Sequence, residues 1–73
     1  MPVALDNLMQ AQSRVFDLWA LGTEPSTREM KVAMNRLMSL IRNADPEAMT
    51  AFEAWRRAEG RRRGLASQAG KRR

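Results

Sequence analysis

The sequence predicts a small all-α fold: a three-helix domain with a disordered basic C-terminal tail. Apolar residues recur at helical spacing in three separate stretches. Each stretch is bracketed by residues that start or stop helices. No stretch alternates as a strand does, and β-branched residues are few. The 73 residues allow one such domain and no second core.

The first helix is expected over about residues 4–21. Leu5, Leu8, Met9, Val15, Phe16 and Trp19 fall on one stripe, Asp6 sits in the first turn where the helix dipole favours an acid, and Gly22 follows where a C-cap wants positive φ. Gln12 interrupts the stripe. A buried amide without partners costs about 1–3 kcal/mol, so Gln12 is expected to bond a loop carbonyl, to lie where the stripe is open, or to face a partner that satisfies it. The loop Thr23-Glu24-Pro25 leads to Ser26-Thr27-Arg28-Glu29, which reads as a capping box with Ser26 as the cap. The second helix then spans about 27–43. Met30, Ala33, Met34, Leu37, Met38, Leu40 and Ile41 form a wide apolar face, with Val32 pointing outward. Asp45-Pro46-Glu47 starts the third helix, about 46–59, as N-cap, N1 proline and first-turn acid. Met49, Phe52 and Trp55 share one of its faces, and Glu53 with Arg57 is a favourable i,i+4 pair. Gly60 is expected to end or loosen this helix. The domain is therefore read as residues 1–60, and 61–73 as a flexible tail.

Trp19, Phe52 and Trp55 are expected to form the core with Leu37 and Ile41. The five internal methionines fit a core, or an adaptable groove for a partner helix or peptide. Met34, Met38 and Gln12 are the apolar interface candidates.

Charge is divided sharply along the chain. Residues 1–55 hold five basic and seven acidic groups; residues 56–73 hold eight basic groups and only Glu59. The overall net of +5 is thus a slightly acidic body joined to an end carrying +7. The electrostatic candidates for contact with a protein or nucleic acid are Arg56, Arg57, Arg61, Arg62, Arg63, Lys71, Arg72 and Arg73.

The chemistry of an enzyme is missing from this sequence. Cys and His are both absent, which removes thiolate and imidazole catalysis and the usual zinc ligands. The serines have no base, the glycines form no phosphate loop, and the carboxylates fall at helix starts or on polar faces. No catalytic residue, metal or cofactor is expected. There is no apolar run long enough to span a membrane and no secretory signal pattern, so a cytoplasmic location and a free monomer are expected. A helix-turn-helix reader is disfavoured, because its recognition helix would lead with Pro46, Glu47, Ala48 and Glu53, and acids oppose phosphate approach.

In size, helical layout, lack of cysteine and basic C-terminus, the chain resembles the small RNA-polymerase-binding transcription regulators of lytic bacteriophages, of the Xanthomonas phage kind. The resemblance lies in overall character and in no single motif, so it transfers no residue roles. It implies binding to the two large subunits of bacterial RNA polymerase in the host cell, displacement of the sigma factor at initiation, and antitermination. From the residues alone, two alternatives stand beside it: an accessory protein that contacts RNA or DNA backbone through its arginine-rich end, and a phage inhibitor of another host complex.

Overall fold

The computed structural model describes residues 3–64. These form three helices: α1 (Leu5–Ala20), α2 (Arg28–Arg42) and α3 (Pro46–Arg62). The fold is all-α, as expected. The remaining C-terminal residues 65–73, including Lys71, Arg72 and Arg73, lie outside the described residues.

The helix ends follow from local chemistry. Leu21 caps α1, and Gly22 follows at φ +79°. The Gly22 amide donates to the Trp19 carbonyl at 2.9 Å and the Thr23 amide to the Leu18 carbonyl at 3.0 Å. Together these two bonds form a Schellman motif, and the positive φ is the reason a glycine stands there. α2 starts one residue later than the capping box implied. Its N-cap is Thr27, whose hydroxyl accepts from the Met30 amide at 3.4 Å and donates to the Glu24 carbonyl at 2.8 Å. Glu29 therefore sits at the second helical position, one residue too early to close a capping box on Thr27. At the other end of α2, the Asn43 side-chain amide donates to the Ser39 carbonyl at 2.9 Å, satisfying one of the carbonyls that a helix end leaves unpaired. Asp45 takes the N-cap position of α3 with an extended backbone, and Pro46 follows at the first helical position. Its side chain makes no capping hydrogen bond.

The largest departure is at the end of α3. Gly60 stays inside the helix, which continues to Arg62 with Arg63 as its cap. The terminating glycine is Gly64, at φ +82°, its amide donating to the Arg61 carbonyl at 3.0 Å. The last turn is held by side chains. Glu59 accepts from Arg62 Nε at 3.0 Å and from Arg63 Nε at 2.8 Å, and Arg63 also reaches Asp17 on α1 at 2.8 Å. Arg61, Arg62 and Arg63 thus belong to the ordered domain, against the expected boundary at residue 60.

α1 is the central helix, packing against both α2 and α3, which scarcely meet each other. Gly60 lies beside Phe16, and Arg63 bonds Asp17. α3 therefore runs alongside α1 in the same direction, with α2 returning the chain between them. The buried core combines Leu8, Ala11, Val15 and Leu18 of α1 with Met30, Ala33 and Leu37 of α2 and Phe52 of α3. Leu8, Met30 and Phe52 are fully buried. Trp55 stacks on Phe52, ring centroids 6.1 Å apart, and leans on Phe16 at 6.5 Å. Ile41 packs at the edge of this core, half-buried.

Trp19 is not a core residue: it is 47 % exposed, while Leu18 is 2 % exposed. Trp19 continues the line of Leu8, Gln12 and Val15 at 100° per residue. That line is covered at Leu8, Gln12 and Val15 and uncovered at the last turn of α1.

Candidate protein-interaction face

α3 and its cap supply five of the eight basic side chains that the sequence singled out, Arg56, Arg57, Arg61, Arg62 and Arg63, and the structure divides these five by role. Arg62 and Arg63 are engaged within the fold. Their hydrogen bonds to Glu59, Arg62 first, hold that carboxyl down to about 2, far below its ordinary value of 4.5. Arg63 is itself pushed upward by its hydrogen bonds to Asp17 and Glu59. Its guanidinium also covers the Phe16 ring at 5.4 Å from the centroid. Arg63 is accordingly a clamp between α1 and α3.

Arg56, Arg57 and Arg61 are disposed differently. None has an acidic partner among the described residues; the Glu53–Arg57 pair expected from the spacing is not formed. Arg56 lies over the Phe52 ring at 5.6 Å. With Phe16 and Gly60, these three arginines border an open hollow of about 460 Å³ between α1 and α3. Its apolar part exists because position 60 has no side chain: a Cβ there would lie 3.9 Å from the tip of Phe16. One turn further along α1 stands the half-exposed Trp19, and Leu21 beyond it is 79 % exposed. The hollow thus sets an apolar wall of Phe16 beside three guanidinium groups, and aromatic residues and arginine are enriched at protein interfaces.

Of the apolar interface candidates, Met34 and Met38 are exposed, four residues apart on α2, whereas Ala33 and Met30 are buried. Gln12 is buried, at 5 % exposure, and makes none of the side-chain hydrogen bonds found among the described residues. No fully buried side-chain nitrogen or oxygen there lacks a partner, so the Gln12 amide keeps contact with solvent. Val32 points outward as expected, at 58 % exposure.

The tertiary structure adds two features that linear reading missed. Phe16 is buried, as the apolar stripe implied, and its ring edge also forms a wall of the α1–α3 hollow. A second basic cluster brings Arg14 of α1 to Arg28 and Arg36 of α2, around a hollow of about 340 Å³ that includes Glu29 and Val32. The 28–32–36 spacing was visible as one helical ridge; the approach of Arg14 was not, because it crosses between helices.

Among the described residues there is no group of three or more acidic side chains arranged to hold a metal ion, and no helix long and apolar enough to cross a membrane. The chain matches no protein-family model, no curated protein and no solved structure.

Proposed function

We propose that this chain is a non-enzymatic binding protein that docks on bacterial RNA polymerase and regulates transcription by occupying surface that larger factors need. The observation that carries the binding role is the open hollow in which Phe16 and Gly60 stand beside Arg56, Arg57 and Arg61, three arginines with no acidic partner among the described residues. Such arginines suit an acidic surface, and the half-exposed Trp19 elsewhere on α1 forgoes burial that a domain this small would use. The choice of polymerase, with sigma displacement at initiation and suppression of termination in the bacterial cytoplasm, follows from the resemblance in size and character to the small phage regulators.

The test is direct binding of the full chain to purified polymerase core enzyme, followed by transcription in vitro on one promoter and one terminator template. The proposal expects complex formation that nuclease does not abolish, reduced initiation when sigma is added after the chain, and increased readthrough. Failure to bind core enzyme refutes it.

The second reading is backbone contact with RNA or DNA. It is favoured by Arg57 and Arg61, which stand four residues apart on α3 and belong to the charge of +7 in residues 56–73. Salt separates the two. Phosphate binding weakens with a log–log slope near −0.9 per neutralised phosphate on duplex DNA, whereas docking of an apolar surface responds far less.

A further inference from the structure

We propose that the α1–α3 hollow receives an acidic and apolar peptide segment of the protein partner. A bulky apolar side chain enters against Phe16 and Gly60, and flanking Asp or Glu carboxylates pair with Arg56, Arg57 and Arg61. This rests on the reading of the chain as a protein-binding regulator and specifies the chemistry its partner presents.

Charge complementarity carries the argument. The five arginines of residues 56–63 lie on two turns, and the described residues provide acids for two of them: Glu59 for Arg62, and Glu59 with Asp17 for Arg63. Arg57 and Arg61, at i and i+4, repel each other with no acid of the described chain between them. A carboxylate placed across that pair relieves the repulsion and accepts charge-assisted hydrogen bonds from both.

The walls of the hollow say what accompanies the charge. Gly60 exposes bare helix backbone beside the Phe16 ring, leaving about 460 Å³ of open space with an apolar floor. A carboxylate alone leaves that floor wet; a neighbouring Leu or Phe side chain covers it. Nucleic acid fits this floor poorly. Base stacking needs an open ring face, and Phe16 has Arg63 over its ring and Trp55 tilted against it at 40°. Phosphates alone would use the arginines and leave the hollow empty.

Two substitutions separate the contributions. Gly60→Leu fills the hollow and keeps every arginine. Arg57→Gln with Arg61→Gln removes the charge and keeps the hollow. The probe is a short fluorescein-labelled peptide with Phe-Leu flanked by Glu and Asp, compared with its Gln/Asn counterpart and with oligothymidylate, all against the full chain. The acidic peptide is expected to bind and to shift the Gly60 amide and Phe16 ring resonances. The Gln/Asn counterpart and both variants are expected to bind at least about tenfold more weakly. Equal binding by the Gly60→Leu chain overturns the proposal, as does oligothymidylate binding where the peptide fails. Circular dichroism checks each variant. If Gly60→Leu loses helicity, Gly60→Ala replaces it in the same comparison, with weakened binding again the expected result.

Polymerase binding measured with the same variants keeps the two claims apart. Core enzyme that binds Gly60→Leu as well as the parent chain removes the hollow and leaves the polymerase reading standing. Peptide binding without polymerase binding leaves the hollow and removes the polymerase.

Discussion

Replacing Gly60 by Ala makes the chain more stable. Gly60 lies inside α3, three residues before the C-cap, and glycine in a helix interior is less favourable than alanine by about 0.5–1 kcal/mol. The added methyl meets no obstruction. The nearest atom is the tip of Phe16 at 3.9 Å, an ordinary van der Waals separation, and the backbone there has negative φ. The full propensity gain is therefore expected, with a small contribution from contact with Phe16. For a domain of this size it raises Tm by roughly 2–8 °C. Gly64→Ala has the opposite sign. At φ +82° a Cβ is strained, and the left-handed conformation costs a non-glycine residue about 1–2 kcal/mol. Thermal melts of the two variants, followed by circular dichroism at 222 nm, give a signed pair. An unchanged or lower Tm for Gly60→Ala refutes the placement of Gly60 inside α3 and returns the helix end to residue 59.

Other expectations follow from the same contacts. Thr27→Ala costs about 0.5–1 kcal/mol, at the lower part of the N-cap range because its hydrogen bond to Met30 is long at 3.4 Å, while Ser26→Ala leaves the melt unchanged. Phe52→Ala, at a fully buried site, costs about 3–5 kcal/mol and unfolds much of the population at ambient temperature; Trp19→Ala keeps the fold and weakens partner binding, measured by melts and by binding kinetics. Because the Glu59 pKa is lowered from 4.5 to about 2, its ionised form favours the folded state. That contribution is complete above about pH 4.5 and is lost as pH falls toward 2, so acid titration followed by melts should show a loss that Glu59→Gln abolishes. A chain cut after Gly64 keeps its melting temperature, and a cut after Gly60 lowers it, because only the second removes the Arg63 bridge to Asp17.

Much of this molecule was legible along the chain. The three helices, their order, the stop at Gly22, the start at Asp45-Pro46 and the outward Val32 all depend on residues within about one turn of each other. Helical period and capping are local physics, and a sequence displays them directly. Even the misplaced cap at Ser26 was an error of one residue between two adjacent hydroxyl side chains.

What sequence reading could not supply were the contacts between helices. Trp19 lies on the apolar stripe by its angle, yet it is exposed; no periodicity encodes where along a helix the packing against its neighbours stops. Gly60 and Gly64 are equally good stops by composition. The choice between them was made by Glu59, Arg62, Arg63 and Asp17, the last of them 46 residues away from its partner in sequence. The same long-range pairing took Arg63 out of the presumed arm and left Arg56, Arg57 and Arg61 around Phe16. The sequence by itself determined helices, caps and total charge, all short-range or additive properties. Tertiary packing decided which arginines are neutralised and which aromatic is left uncovered, because both depend on residues that meet only after the helices are laid side by side.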